Sequence, residues 1–350
     1  MKKIAFIADI ENWAFDIAAN IIKRNLSDKF DIDIYYQFSN EFNNDLFKIL
    51  EYLKDYDVIH FFCRKILLNF ENEEFKAKIT RKYGNYEKYL TYIVPKISTG
   101  VYDYLFIDDN SFNKTFSKYC NSYVVSSKNL FDIYTNQNIF KKPTCIMGDS
   151  FEKKQFFPCN IERFSQISNS TLVVGWVGNS AWNCKQKDIN GNPIDFKGFN
   201  TILKPVINNL IAEDFNIKLN CADKNIKQIP NDDMNKYYSN IHIYVCVSNS
   251  EGTPKPLLEA MGCGIPIITT DTGVAREALG PLQQHYILDT REIGKNDQTI
   301  RNSLKAKLID LYQNRSKLLD LSNENFIYSK KYEINNMKDT YYNYFNNFNN

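Results

Sequence analysis

Two glutamates, Glu251 and Glu259, lie eight positions apart on either side of a proline pair. Residues 242–247 predict a buried strand, and Pro254 and Pro256 follow where a helix should begin, because proline is tolerated in a first helical turn. A helix N-terminus attracts phosphate, and a carboxylate beside it accepts hydrogen bonds from ribose hydroxyls. The pattern favours a nucleotide site. For an isolated Glu-Gly, however, the simpler interpretation is that Glu251 is an ordinary loop carboxylate and that Glu259 only stabilises the helix dipole.

The stretch around these glutamates carries more information than either residue alone. Residues 244–280 read YVCVSNSEGTPKPLLEAMGCGIPIITTDTGVAREALG. The spacing of Glu251 and Glu259, followed by EAMGCGIPII and a TDTG turn, resembles the signature of family 4 of the retaining glycosyltransferases (glycosyl transferases group 1), which have the GT-B fold. GWVGNS at 175–180 with KGF at 197–199 resembles the loop that opens the family's donor domain, and GDSFEKKQFFP at 148–158 resembles its interdomain linker.

The resemblance implies a nucleotide-sugar donor site. It implies that Glu251 faces the transferred sugar, that Glu259 holds the ribose, and that Lys197 neutralises the diphosphate, so Glu251 and Lys197 are the predicted catalytic residues. A departing nucleoside diphosphate develops negative charge, which a lysine and a helix N-terminus can stabilise without a metal ion. The other donor-binding residues implied are Gly178, Asn179, Gly252, Thr253, Lys255 and Gly273. Lys197 taken alone would be interpreted as a solvated surface lysine.

This chain departs from the family pattern in the donor loop. Where relatives often have an arginine after the second glycine, Asn179 carries no charge, so neutralisation would rest on Lys197, with Lys185 or Lys187 as helpers. Pro254 has no amide hydrogen. Any backbone contact to phosphate in that turn must therefore come from Thr253 or Lys255.

Four residues are candidates for the acceptor side: Trp13, His60, Arg64 and Tyr102. Trp13 could stack on a sugar ring or simply pack at a helix start. His60 could touch substrate, but a satisfied core histidine is at least as good an interpretation. Arg64 could grip an acceptor phosphate, and a surface arginine is the default. Relatives often have a histidine at a strand tip here; the matching stretch of this chain, ISTGVYD at 97–103, offers Tyr102 instead.

Alternating strand and helix patterns predict how these residues are positioned. The predicted strands are 3–8, 31–36, 58–62, 92–94, 104–107, 123–125, 171–177, 217–221, 242–247 and 265–269, with helices at 15–26, 45–53 and 198–212. They predict an α/β protein of the GT-B class, with two Rossmann-like, doubly wound parallel-sheet domains facing a cleft. We expect an acceptor-binding domain at 1–155, a donor-binding domain at 156–325, and a helical tail at 326–350 that either covers a groove or crosses back to the first domain.

Composition excludes several other classes. The 350 residues contain 43 Lys+Arg and 41 Asp+Glu, so the net charge of +2 argues against a nucleic-acid partner. Eight scattered cysteines and three histidines predict no metal site and no cofactor. No apolar run approaches the roughly 20 residues that span a bilayer, so we expect a cytoplasmic protein. Peripheral contact with the inner face of the membrane is a hypothesis that rests on Trp13, Lys23, Arg24, Arg64 and Lys65.

The resulting functional prediction is a retaining, metal-independent glycosyltransferase. It would move a sugar from a UDP or GDP donor to a hydroxyl of a glycan or lipid-linked acceptor, in the assembly of a surface polysaccharide such as capsule or lipopolysaccharide. Two alternatives stay open. One is a nucleotide-sugar epimerase of the same fold, which the shortage of histidines disfavours. The other is a catalytically degenerate nucleotide-sugar-binding protein, suggested by Asn179 and the missing acceptor-side histidine.

Overall fold

The chain forms two units. The computed structural model describes residues 1–165, 170–181, 194–290 and 297–348. The first unit comprises residues 1–150 with 334–350, and the second comprises residues 151–333. The divisions therefore fall at 150/151 and 333/334, whereas the sequence predicted them at 155/156 and 325/326.

The first unit is built on a parallel sheet. Its strands are β1 (Lys2–Ala8), β2 (Phe30–Tyr36), β3 (Val58–Phe61), β4 (Ile97–Val101), β5 (Ser122–Val125) and β6 (Cys145–Ile146), in the order β2-β1-β3-β4-β5-β6. The helices between them are α1 (Ala14–Leu26), α2 (Leu46–Leu53), α3 (Glu73–Tyr83), α4 (Tyr86–Ile93), α5 (Asn110–Lys118) and α6 (Lys128–Asn136).

The second unit repeats the arrangement. Its strands are β7 (Leu172–Gly178), β8 (Ile217–Asp223), β9 (Ile243–Cys246), β10 (Ile267–Thr270) and β11 (Ile287–Leu288), in the order β11-β10-β9-β7-β8, again parallel. Its helices are α7 (Lys204–Ala212), α8 (Met234–Ser239), α9 (Lys255–Gly262), α10 (Ala275–Ala278), α11 (Pro281–Gln284), α12 (Asp297–Gln313) and α13 (Lys317–Ser329), and a π-helical turn, Phe199–Leu203, precedes α7. The last helix, α14 (Ile334–Asn346), belongs to the first unit.

Burial on both faces explains why the first sheet is parallel. Along β1, Ile4 and Phe6 pack into one apolar cluster, which includes side chains of α1 and α14. Ala5 and Ile7 pack into the other cluster, on the opposite face. A strand covered on both faces reads as an unbroken apolar run, as residues 4–8 do.

Two predicted strands are wrong. Residues 92–94 end α4 instead, because Asn85 caps that helix by accepting a hydrogen bond from the Lys88 amide (2.9 Å). Residues 104–107 form a loop after β4, in which Phe106 has φ of +63°, a left-handed conformation that no strand accommodates. The prediction missed β4 itself and the two-residue strands β6 and β11.

The strand order fixes where ligands are expected. One edge of the first sheet has the strand order β2-β1-β3, and one edge of the second has the equivalent order β8-β7-β9. The direction in which successive strands are added therefore reverses between β1 and β3 in the first unit and between β7 and β9 in the second. Open α/β sheets bind ligands outside the carboxyl ends of their strands at such a point. The carboxyl ends of β7 and β9 are therefore the place to examine in the second unit.

Candidate functional site

The loop after β7 is tied to the end of β8. Gly178 and Asp223 are partners in the parallel register of these two strands. The Lys224 amide donates to the Gly178 carbonyl (2.9 Å), and the Ser180 amide donates to Asp223 Oδ1 (3.0 Å). Asp223 is 3% exposed. The glycine loop is therefore fixed to its neighbouring strand by both main-chain and side-chain hydrogen bonds.

Asn179 is engaged within this loop. Its Oδ1 accepts a hydrogen bond from the Ala181 amide at 3.0 Å, closing a short side-chain turn. The loop thus gains local order from Asn179 but no positive charge. Lys185 and Lys187, the predicted helpers in neutralisation, lie outside the described residues.

A second loop brings Lys197 to the end of β9. The Gly198 amide donates to the Asp195 carbonyl (3.0 Å), and Asp195 Oδ2 accepts from the amides of Asn200 (2.7 Å) and Thr201 (2.9 Å) at the start of the helical segment. Gly198 has φ of +61°, and a Cβ there would lie 2.2 Å from the Val247 carbonyl oxygen. Only glycine allows this approach, which sets Lys197 beside the β9 loop.

The two residues predicted to be catalytic form an ion pair. Lys197 Nζ lies 2.5 Å from Glu251 Oε1, and the two side chains are 24% and 17% exposed. Burial works against the charged lysine, but the attraction and hydrogen bond of Glu251 outweigh it and raise the pKa of Lys197 above its ordinary value. Glu251 thus fixes the position of the Lys197 ammonium, although the two residues are 54 positions apart in the sequence.

The loops after β9 and β10 pack against each other through glycine. Gly273 has φ of +55°, and a Cβ there would lie 2.1 Å from the Gly252 carbonyl oxygen and 2.8 Å from that of Glu251. Thr270 Oγ1 also donates to the Ser248 carbonyl at 2.6 Å. The structure therefore brings Gly252 and Gly273, both predicted donor-binding residues, into contact.

Helix α9 begins as the prolines predicted. Pro254 is its N-cap and Lys255 its first residue, and the Leu257 amide donates to the Pro254 carbonyl (2.8 Å). Thr253 and Lys255 are 9% and 7% exposed. Lys255 lies one helical turn before Glu259, so the two side chains share a face.

Glu259 is a buried carboxylate with a partner that the sequence did not reveal. It is 5% exposed, and its Oε2 accepts a hydrogen bond from the Tyr238 hydroxyl at 2.9 Å. Burial raises the pKa of Glu259, opposed by the charge of Lys255, by the Tyr238 hydrogen bond and by the charge of Lys224. Tyr238 lies on α8, in a segment that carries no motif. Its role emerges only from packing.

The first unit places His60 in its core. The side chain is 0% exposed, with Nδ1 2.8 Å from Ser98 Oγ and Nε2 3.3 Å from the Tyr102 hydroxyl. Burial lowers the pKa of His60 to about 3, so the ring is neutral at physiological pH. This geometry fits the alternative of a satisfied core histidine. Tyr102, itself a candidate, is half-buried beside it.

Arg64 is not the surface arginine that was the default interpretation. It is 5% exposed, and its guanidinium donates to Asp103 Oδ1 (2.9 Å) and to the Leu105 carbonyl (2.7 Å). It also lies 5.5 Å from the centre of the Phe112 ring. Arg64 thus fixes the loop after β4. Trp13, the residue before α1, is 40% exposed and is the most accessible of the four acceptor-side candidates.

A family comparison matches the region that carries Glu251, Glu259 and Gly273. Residues 216–323 match the family described as glycosyl transferases group 1. Gly178, Asn179 and Lys197 lie before the matched residues.

Two curated proteins are similar to part of the chain. Protein CapJ of Staphylococcus aureus is 25% identical over 174 residues, which cover 43% of this chain and 44% of CapJ. The GtfA subunit of the UDP-N-acetylglucosamine–peptide N-acetylglucosaminyltransferase of Streptococcus pneumoniae is 28% identical over 117 residues, 33% of this chain and 21% of that protein. The match therefore spans less than half the length of either relative.

Solved structures confirm the fold. Anabaena HepE in complex with UDP-glucose aligns with a TM-score of 0.65 at 11% identity, over 99% of this chain and 100% of HepE. The chain has the predicted α/β architecture of GT-B glycosyltransferases, with two Rossmann-like parallel-sheet domains.

Proposed function

We propose that this protein is a retaining glycosyltransferase that moves a sugar from a nucleotide-diphosphate donor to a hydroxyl of a glycan or lipid-linked acceptor. The observation that carries the proposal is the Lys197–Glu251 ion pair at the carboxyl edge of the second sheet, in a loop that contacts Gly273 and leads into the helix of Glu259. The glycosyl transferases group 1 match over the same region supports it. In this proposal the second unit binds the donor, and the first binds the acceptor.

The chain's own residues can supply the electrostatics of transfer. As the bond between sugar and diphosphate breaks, negative charge grows on the leaving phosphate, and the Lys197 ammonium is held ready to stabilise it. Glu251 keeps that ammonium in place before the donor binds and would face the sugar. Glu259 would accept hydrogen bonds from the ribose. We propose that transfer needs no metal ion, because Lys197 and Lys255, in the loops and helix that follow β7 and β9, can provide the positive charge.

UDP is the first nucleotide to test. HepE was solved with UDP-glucose, and the GtfA subunit is named for UDP-N-acetylglucosamine. GDP remains the second candidate. We propose surface polysaccharide assembly as the setting of the reaction, with an acceptor hydroxyl presented to the first unit.

Peripheral membrane contact at the inner face of the cell membrane is part of the same proposal. Within the described ranges, no helix has the length and apolar character needed to cross a bilayer. Of the residues on which the hypothesis rests, Trp13 is exposed, whereas Arg64 is buried and paired with Asp103. Contact would therefore involve Trp13, Arg24 and the two lysines, Lys23 and Lys65, and flotation with anionic liposomes tests it.

The deciding experiment is thermal unfolding with UDP and GDP, followed by nucleotide release from a panel of their sugars with and without acceptor. A ligand at about one hundred times its Kd adds roughly 2.7 kcal/mol to stability. Stabilisation with transfer to an acceptor supports the proposal. Conversion of the donor sugar without transfer would favour an epimerase. Binding without any turnover would indicate a degenerate binding protein, and no binding of either nucleotide would refute all three.

A further inference from the structure

The described part of the glycine loop after β7, residues 178–181, carries no positively charged side chain. It reads Gly-Asn-Ser-Ala, and Asn179 uses its side-chain oxygen on the Ala181 amide. Phosphate oxygens are held most strongly by charge-assisted hydrogen bonds. Within the described residues, a cation beside Gly178 comes from a neighbouring element.

The turn after β8 presents such a cation. The Lys224 amide donates to the Gly178 carbonyl at 2.9 Å, so this residue directly abuts the glycine loop. The next residues are held as firmly, because the Asn225 amide donates to Asp223 Oδ1 (3.0 Å) and the Lys227 amide to the Asp223 carbonyl (2.8 Å). Lys224 thus has a fixed backbone position, and its side chain is exposed at the carboxyl edge of the sheet.

Asp223 links the turn to the glycine loop by accepting hydrogen bonds from both segments. The same Oδ1 that accepts from Asn225 also accepts from the Ser180 amide (3.0 Å), and the Asn225 side-chain amide lies 3.4 Å from Ser180 Oγ. The Asp223 carboxylate is buried. The loop and the turn therefore form one rigid piece, and the position of Lys224 relative to Gly178 is built into the fold.

The Lys224 charge also reaches a residue of the proposed donor site. Lys224 lowers the pKa of Glu259, although the two residues belong to different elements, and Lys255 acts on the same carboxylate from the first turn of α9. Glu259 is the proposed ribose acceptor. The ammonium of Lys224 is therefore close enough to Glu259 to interact with its charge.

We propose that Lys224 is a further donor-binding residue, whose ammonium binds the phosphates of the nucleoside diphosphate beside the Gly178 loop. This inference rests on the proposed function, because it takes the ligand to be a nucleotide diphosphate. Lys224 forms no covalent bond in it. It contributes charge to the ground-state complex and to the diphosphate as that group departs.

The test compares a charged and an uncharged ligand of the same base. Calorimetry measures the Kd of UDP and of uridine for the full chain and for Lys224→Gln, with GDP and guanosine as the second pair. We expect Lys224→Gln to weaken UDP binding about tenfold, the scale of one hydrogen bond to a charged group, while the Kd of uridine stays the same. Lys224→Arg keeps the charge and should restore most of the affinity.

Lys227 provides the matched control. It is exposed in the same turn, so Lys227→Gln removes an equal charge three residues away and should leave the Kd of UDP within about twofold. The UDP-specific loss in Lys224→Gln should shrink as salt rises from 0.05 to 0.5 M, because added ions screen an exposed charge.

The remaining outcomes refute either the phosphate contact of Lys224 or the proposed function. Equal losses for UDP and uridine in Lys224→Gln, with unchanged thermal unfolding, would overturn a phosphate contact, as would an unchanged Kd for UDP or an equal loss in Lys227→Gln. If the unmodified chain binds neither nucleoside diphosphate, the proposed function fails and this inference fails with it. Binding by the unmodified chain together with an indifferent Lys224→Gln refutes the inference alone.

Discussion

Replacing Lys197 by Met tests whether the ion pair serves chemistry or stability. Methionine keeps the length of the side chain and removes its charge. At the 2.5 Å separation of Lys197 Nζ and Glu251 Oε1, the gross attraction at an effective dielectric constant of about 20 is about 7 kcal/mol. Most of it is offset by dehydration of the two groups, and both remain partly in water. We therefore expect the free energy of unfolding to fall by only about 1–3 kcal/mol.

We expect Lys197→Met to reduce kcat by more than its effect on stability would explain. If Lys197 stabilises charge that appears only as the diphosphate leaves, its removal withdraws stabilisation from the transition state more than from the bound donor. Loss of one such electrostatic contact costs about 3 kcal/mol, or roughly a hundredfold in kcat. The Kd of UDP should change much less than kcat.

The assay combines urea unfolding with kcat for nucleotide release, in Lys197→Met, Glu251→Gln and the double variant. The double-mutant cycle isolates the energy of the pair. An unchanged kcat in Lys197→Met would refute the catalytic role. So would a loss of activity that simply follows the fraction of unfolded protein.

The pH dependence of the pair has a defined sign. Since the pKa of Lys197 is raised above its ordinary 10.5, the lysine contributes fully from neutral pH up to pH 10.5, and its contribution is lost as the pH rises through the higher folded value. The difference in stability between the unmodified chain and Glu251→Gln should therefore stay constant from pH 7 to pH 10.5 and shrink above it.

Three further predictions concern Glu259, Gly273 and His60. Glu259→Ala should weaken UDP binding by about 1–3 kcal/mol through the lost ribose contact, measured by calorimetry, and an unchanged Kd would remove that assignment. Gly273→Ala should lower the unfolding temperature more than Gly84→Ala, since both glycines have positive φ but a Cβ at Gly84 meets nothing within 4 Å; equal effects would show that only backbone strain matters there. Burial lowers the pKa of His60 from 6.5 to about 3, so on acidification the unfolded chain binds the proton before the folded chain does. Protonation of this one residue should therefore lower the free energy of unfolding by about 2 kcal/mol between pH 7 and pH 5. Urea unfolding of His60→Asn should show a correspondingly smaller pH slope, and an unaltered slope would contradict the assignment.

The grouping of the predicted donor-side residues could be anticipated because each stands at or after the end of a strand. Gly178 ends β7, and Glu251 and Gly273 lie in the loops that follow β9 and β10, while parallel strands bring their carboxyl ends to one edge. The fold class follows from the same alternation. What periodicity could not supply is the pairing of Lys197 with Glu251, because that contact depends on β9 lying beside β7 and on the close approach at Gly198.

The acceptor side was less predictable because burial, not sequence type, decides the state of its residues. From the sequence alone Arg64 is interpreted as a surface residue, yet it is hydrogen-bonded to Asp103 and Leu105, which lie in the loop after another strand. That loop was itself mistaken for a strand, since its aromatic and aliphatic residues have strand-like composition. The positive φ of Phe106 that allows it to fold back is invisible to a hydropathy pattern.

The charges at the second sheet show why overall composition says little about this site. Among the described residues that follow its strands, Lys197, Lys224 and Lys255 stand beside the carboxylates Asp223, Glu251, Glu259 and Asp271. The carboxylates at least match these lysines, so net charge would not attract the proposed diphosphate. In the proposed function it is instead bound by cations in fixed positions: Lys197 would turn from Glu251 to a phosphate, while Asp223 accepts main-chain hydrogen bonds that order the turn of Lys224. On this proposal a protein of net charge +2 holds a dianion because its backbone fixes where each cation stands.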